Sequence, residues 1–238
     1  MGKRKFDTSF IVDIEKFYIP AYPNIVLYKC NFSIDHFESE LFSSAGLEYP
    51  IEIQRAVNKR KAEFFAGRYV AQQALADLGI ENYQVMIGLH RCPIWPINIL
   101  GSITHTDNIA ICATAPTDSV FALGIDLEKH ITPETIDTIK YSIICREEEE
   151  LLSQLNLPFN YTFTLVFSAK ESLFKALYPN VGRYFDFNVA KLCYISLEDN
   201  IFCLSLKCNL SSRFKAGFVA KGHFNITDTE IFTSIVVL

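Results

Sequence analysis

Apolar and polar positions along this chain change period twice. Residues 24–32 (NIVLYKCNF) concentrate β-formers and predict a strand. Over residues 59–78 (KRKAEFFAGRYVAQQALADL) the apolar spacing lengthens to a helical period, and Gly79 supplies a favoured stop. Phe65, Tyr69 and Leu75 can face a core from that helix; Lys61 and Arg68, seven residues apart, share a face with Arg60 close to it. Three short strands are expected within residues 101–126, where SITHT, IAICATA and VFALGID are separated by the Asp107-Asn108 signal and the Pro116-to-Ser119 turn. Thr132-Pro133 reads as an N-cap followed by proline at the first helical position, with helix continuing to about Leu155. A second helix is expected from about Phe159 to Leu177, stopping before Pro179. The last fifty residues alternate around the Asp199-Asn200 turn and predict an antiparallel meander of KLCYISL, IFCLSLK, FKAGFVAKG and EIFTSIVVL. Strands and helices are thus interspersed twice, with the change near residue 120. The pattern predicts an α+β chain of two similar-sized halves, 1–120 and 121–238.

Composition narrows this picture. Half of the 238 residues are apolar and 21% are charged, so each half can bury a core. A net charge of −5 argues against a protein that wraps nucleic acid, which needs a dominant cationic surface. The seven cysteines form no CxxC pair and no zinc spacing; they read as reduced thiols, which behave as small hydrophobes. MGKRKFDTSF is basic but is not followed by the apolar core of a signal peptide, and Phe6 stands where N-myristoylation needs Ser or Thr. No stretch approaches the ~20 apolar residues of a membrane span. A cytoplasmic chain without a transmembrane segment is expected.

Three constellations carry chemistry. In Gly124-Ile125-Asp126-Leu127-Glu128, two carboxylates project from one face of a strand end, roughly 6.5–7 Å apart. Such a pair repels itself unless a cation intervenes, and oxygen ligands suit a hard ion such as Mg²⁺. Taken alone, the same pair also reads as a solvated strand end salt-bridged to Lys129. In FSAKESLFKA (167–176), Glu171 and Lys175 stand one helical turn apart, and Lys170 leans to the neighbouring side. This could be an ordinary surface pair, but the helix is apolar on several sides, and charges on a largely buried helix need partners. The third constellation is Arg91-Cys92-Pro93-Ile94-Trp95-Pro96 with Gly101-Ser102-Ile103-Thr104-His105, a turn that delivers a guanidinium, hydroxyls and an imidazole suited to phosphate. For His105 alone, a structural role is an equal alternative.

In sequence and in order, RKAEFFAGR (60–68), RCPIWP…GSITH (91–105), GIDLE (124–128) and FSAKESLFKA (167–176) resemble the 4′-phosphopantetheinyl transferases, most of all those that activate enterobactin-type siderophore synthetases. The resemblance covers about residues 59–178. It implies a pseudo-dimer of two α+β halves, each an antiparallel sheet packed with helices, acting as a monomer with the active site in the cleft between the halves. The N-terminal half would contact coenzyme A phosphates; the C-terminal half would supply metal ligands and phosphate lysines. The implied reaction moves the phosphopantetheine arm of coenzyme A to a serine of an apo acyl, peptidyl or aryl carrier protein, releasing adenosine 3′,5′-bisphosphate. Asp126, Glu128 and Glu171 would hold Mg²⁺, or Mn²⁺ in its place. Lys175 would contact the phosphate under attack, and Lys170 would also serve the phosphates. Glu171, directly or through a metal-bound water, is the candidate to remove the serine proton. Thr104 and His105 would hold coenzyme A phosphates, Arg91 the nucleotide, and Arg68 and Arg60 the 3′-phosphate end. The chain departs from the family where glycine often follows the WP pair, carrying Ile97-Asn98-Ile99-Leu100 instead. Two rivals draw on the same residues: a Mg²⁺-dependent nuclease or phosphodiesterase, which would need a basic surface, and a coenzyme A or carrier-protein binding module without catalysis.

Overall fold

The computed structural model describes residues 9–238, so the basic segment at 1–8 lies outside the described residues. The chain divides into two compact units, the first ending at Ser119 and the second running Val120–Leu238.

The first unit contains β1 (Ile11–Ile19), β2 (Tyr22–Phe32), α1 (Glu40–Ala45), α2 (Ile51–Gln54), α3 (Asn58–Asp77), β3 (Met86–Ile87), β4 (Pro93–Ile94), β5 (Ile99–His105) and β6 (Ile109–Pro116). Its main sheet has the order β1-β2-β6-β5 and is antiparallel throughout. Helix α3 lies on β6 and β2 and buries Phe65, Val70, Ala71, Ala74 and Leu75. It ends where Gly79 takes φ +77°, a conformation that glycine adopts without steric cost. An aromatic cluster of Phe10, Phe32, Phe42, Tyr49 and Phe65 closes the end of this core.

The second unit contains β7 (Ala122–Lys129), α4 (Pro133–Ile143), α5 (Arg146–Ser153), α6 (Phe159–Val181), β8 (Ala190–Ser196), β9 (Ile201–Leu206), β10 (Val219–Ile226) and β11 (Glu230–Val237). Its sheet has the order β7-β11-β10-β9-β8, again antiparallel throughout, and α6 packs on β7 and β11. Each unit is therefore an antiparallel sheet with one long helix across it. No helix among the described residues is long and apolar enough to cross a membrane.

Three expected boundaries move. The helix expected from Thr132 to Leu155 breaks at Ile144 and Cys145, both extended. There Glu148 folds back, and its Oε2 accepts the Cys145 backbone N–H at 2.9 Å, starting a new helix with a capping box. Helix α6 runs past Pro179 and stops at Gly182, φ +70°. The proline sits in the last turn, so the ladder loses one bond to the Lys175 carbonyl where it was about to end. The strand expected from Phe214 begins only at Val219: Phe214 is fully buried in a turn, its carbonyl accepting from Leu210 N–H at 2.8 Å, and Gly217 takes φ +85°.

Candidate active site

In the second unit the site is built on the seam between β7 and α6. Gly124, Asp126 and Glu128 share one face of β7 by the two-residue period of a strand. At Gly124 that face meets α6 so closely that a Cβ would collide with the Ser172 carbonyl and the Ala176 amide. Glycine is required here for close approach rather than for its torsions. Following the same face, Asp126 is 3% exposed and its Oδ1 accepts a bond from Lys175 Nζ at 2.7 Å. Glu171 stands one turn before Lys175 on α6.

The carboxylates of this seam feel one another. Burial pushes Glu128 up to about 8, Asp126 and Glu171 add to the rise, and Lys175 opposes it. Glu171 is raised for the same reasons, first burial and then Asp126. Among the described residues three acids thus face one ammonium, and a divalent cation would bring that set to neutrality. Hard oxygen donors are the right chemistry for Mg²⁺ or Mn²⁺. Among the described residues, however, no three His, Cys, Asp or Glu side chains are drawn into a ligand shell, and Lys175 holds Asp126 instead.

Beneath the seam, Ser168 Oγ lies 2.9 Å and Ser172 Oγ 2.7 Å from Thr233 Oγ1, and Ser172 also donates to the Thr233 carbonyl at 3.2 Å. Thr233 is the β11 partner of Asp126. These buried hydroxyls fix the rotation of α6 against the strand that backs Asp126. Sequence reasoning passed over them; the available signal was the spacing of Ser168 and Ser172, four residues apart inside an apolar helix.

Lys170 is a correction. It is 3% exposed, its Nζ donates to the Ile143 carbonyl at 2.6 Å, and it pairs with Glu148 Oε1 at 2.9 Å. Glu148 also accepts from Leu192 N–H at 2.7 Å and Cys145 N–H at 2.9 Å. Burial pulls Lys170 below the usual lysine range, while Glu148 works against that pull. This lysine ties the α4–α5 break and β8 to α6, and in this structure its ammonium is engaged by Glu148 and the Ile143 carbonyl rather than presented to a phosphate.

In the first unit α3 and β5 supply the candidates. Arg60 Nη1 donates to His105 Nε2 at 2.9 Å. Glu63, which the sequence reading did not single out, is 8% exposed and stands 3.6 Å from Arg60 and 3.8 Å from His105 Nδ1. Arg68 is half-buried with its guanidinium 4.4 Å from the centre of the Phe64 ring, and its Nε has no hydrogen-bond partner among the described residues. Burial pulls Arg68 down to about 10, and Arg60 is near enough to add to the fall. Thr104 and His105 are neighbours on β5, so their side chains take opposite faces of the strand, and Thr104 is buried. Arg91 is exposed in the turn joining β3 to β4, where His90 and Arg91 both take positive φ (+53° and +64°). That turn is anchored by Trp95, whose ring lies flat on Gly101 so that a Cβ there would strike it. Where the family often has glycine, Asn98 itself adopts φ +64°, the left-handed region that asparagine tolerates best among residues with a side chain.

Residues 48–115 match the family described as 4′-phosphopantetheinyl transferase N-terminal domain, and residues 122–215 match the 4′-phosphopantetheinyl transferase superfamily. The 4′-phosphopantetheinyl transferase Npt of Nocardia iowensis is 32% identical over 164 residues, covering 64% of this chain and 72% of that protein. The chain belongs to the 4′-phosphopantetheinyl transferase superfamily. Enterobactin synthase component D of Salmonella typhimurium is 38% identical over 140 residues, 59% of this chain and 57% of that one. Its counterpart in Escherichia coli is 38% identical over 132 residues, 55% of this chain and 61% of that one. The chain thus spans less than two thirds of the length of these two relatives. Within the superfamily match, Arg60, Arg68, Arg91, Thr104 and His105 fall in the N-terminal segment, and Asp126, Glu128, Lys170, Glu171 and Lys175 in the second.

Proposed function

We propose that this phosphopantetheinyl transferase superfamily member transfers the 4′-phosphopantetheine arm of coenzyme A to a serine of an apo carrier protein. The observation that carries this reading is the β7–α6 seam, where Lys175 bonds Asp126 and Glu128 and Glu171 lie close enough to Asp126 that burial and its charge raise both. Asp126, Glu128 and Glu171 would hold Mg²⁺ or Mn²⁺, whose charge would offset that of the coenzyme A pyrophosphate. Lys175 is poised to exchange Asp126 for the phosphoryl oxygens and so stabilise charge that develops there. Glu171, whose affinity for protons is raised first by burial and then by Asp126, would take the proton of the carrier serine. The serine oxygen forms a bond to the phosphorus bearing pantetheine, and the bond from that phosphorus to the bridging oxygen breaks. Adenosine 3′,5′-bisphosphate leaves with the electron pair. In the first unit Arg60 and His105, with Arg68 behind them and Arg91 on its turn, would take the nucleotide phosphates.

The relatives called enterobactin synthase component D support a carrier of siderophore or other nonribosomal peptide synthesis. Cytoplasmic location and a monomeric state belong to the same proposal and rest on the resemblance. The test is direct. Incubated with coenzyme A and Mg²⁺, apo carrier proteins of the aryl, peptidyl and acyl types should gain the mass of one phosphopantetheine arm. No gain on any carrier overturns the proposal, and Mg²⁺-dependent cleavage of bare DNA or RNA would favour a nuclease.

A further inference from the structure

Glu63 is a buried carboxylate on the inner part of α3 with no place in the reaction just described. Its surroundings are specific. Arg60, one turn earlier, donates to His105 Nε2 at 2.9 Å. Arginine has no acceptor, so Nε2 must present its lone pair and the ring proton must sit on Nδ1. Nδ1 is the nitrogen that faces Glu63 Oε2, 3.8 Å away, and the same Oε2 lies 3.6 Å from Arg60. These separations are longer than hydrogen bonds and act as charge contacts between a buried carboxylate and two partly exposed basic side chains. One carboxylate therefore holds both members of the Arg60–His105 pair.

The arrangement has a consequence for an arriving phosphate. The phosphate competes for the Arg60 guanidinium, which releases the Nε2 lone pair. A lone pair repels a phosphate oxygen, so His105 contributes only after taking a proton from solvent at Nε2. The imidazolium so formed keeps Nδ1–H on Glu63, as carboxylate–histidine pairs do elsewhere. We infer that Glu63 is a positioning residue that orients the His105 ring and balances the charge of its imidazolium, and that it thereby sets selectivity for a nucleotide carrying a terminal 3′-phosphate. This rests on the reading of the first-unit cluster as a phosphate site, and it adds a carboxylate to a site that would otherwise be built from cations alone. Such a placement looks counterproductive for binding an anion, which is why its effect should be confined to the phosphate that His105 meets.

The test uses the full chain and two probes, coenzyme A and dephospho-coenzyme A, which differ only in the 3′-phosphate. Calorimetric affinities should favour coenzyme A in the wild type. Glu63→Gln, which keeps shape and loses charge, should reduce that preference by about tenfold while leaving dephospho-coenzyme A affinity unchanged. Nitrogen-15 NMR of the His105 ring should show the Nδ1–H form in the free wild type and, with coenzyme A bound, an imidazolium that is weakened or lost in Glu63→Gln. Equal loss of affinity for both probes would make Glu63 merely structural and overturn the inference, as would an unchanged preference in both Glu63→Gln and Glu63→Ala. Thermal unfolding separates a misfolded Glu63→Ala from a folded one, and the near-isosteric Gln variant keeps the question decidable. If the probes bind selectively but no carrier gains mass, the transferase reading fails while this inference stands. If the wild type does not distinguish the probes, the inference fails whatever the carrier assay shows.

Discussion

Among the described residues, Arg60 and His105 of the first unit meet the carboxylate of Glu63, with Arg68 electrostatically close to them, whereas in the second unit Asp126, Glu128 and Glu171 meet the ammonium of Lys175. Both clusters sit where a long helix crosses an antiparallel sheet. Each is unbalanced in the opposite sense, so one is short of an anion and the other of a cation. The supporting structure differs too. Around Asp126, close β7–α6 packing at Gly124 and the Ser168–Thr233–Ser172 hydroxyls hold the backbone rigidly. Around His105, the neighbouring Arg91 turn is held by Trp95 on Gly101 and by three residues at positive φ. A rigid acidic seam suits bond-making; a cationic pair beside a shaped turn suits holding one end of a ligand. This division of labour can be broken experimentally.

The largest effect is expected from Glu171→Ala. Its loss should lower the transfer rate constant by about 10³-fold or more, since it removes both a proton acceptor and a cation ligand. The fold should persist, because burial already works against its ionised form. His105→Ala should instead raise KM for coenzyme A by about tenfold with little change in kcat, the signature of lost uniform binding. Steady-state kinetics with intact carrier mass as readout checks both. A normal kcat in Glu171→Ala, or a collapsed kcat in His105→Ala, would erase the contrast between the units.

Next in size is the contrast between two lysines five residues apart on α6. Lys170→Met strands Glu148 in the core, and breaking a buried pair in this way costs about 3–5 kcal/mol. Lys175→Met removes a partly exposed lysine, and should cost far less stability but most of the activity. Denaturant unfolding beside kinetics separates them. If Lys170→Met unfolds normally yet loses activity, its expected phosphate role returns.

The two lysines also mark how far the sequence could be read. Periodicity placed α3, α6 and the strands of both sheets except β1, because a buried face imposes its period on the residues that form it, and β1 is largely exposed. GIDLE and FSAKESLFKA brought Asp126, Glu128, Glu171 and Lys175 into one region, since strand and helix spacings put them on facing surfaces. The burial of Lys170 was not legible because which flank of a helix is buried depends on neighbours from elsewhere in the chain, here Glu148 and the Ile143 carbonyl. Glu63 was invisible for the same reason: in KRKAEFF it looks like the partner of Lys59, and its contact with His105 exists only once β5 lies beside α3. The α4–α5 break and the late start of β10 were likewise set by a side-chain cap and by a buried turn, which carry no period. Thr104 and His105 were joined by the resemblance, and their adjacency on β5 puts their side chains on opposite faces.

The smallest effect tests the acidic seam without substrate. With the metal chelated, the folded protein holds a proton on Glu128 up to about pH 8, whereas the unfolded chain loses it near 4.5. Between those values the folded state binds more protons than the unfolded state, so stability must fall as pH rises. The contribution is fully present below pH 4.5 and lost once pH passes 8; Glu171, shifted in the same direction, adds to it. Thermal unfolding in EDTA should therefore show a midpoint that declines more steeply across this window in the wild type than in Glu128→Gln, and the difference between the two cancels every group they share. Adding Mg²⁺ at neutral pH should recover part of the loss, about 2.7 kcal/mol at a hundred times its dissociation constant, since only the ionised carboxylates take it. An identical pH slope in wild type and Glu128→Gln would mean that the strand pair is solvated after all, and the acidic half of the comparison would lose its physical basis.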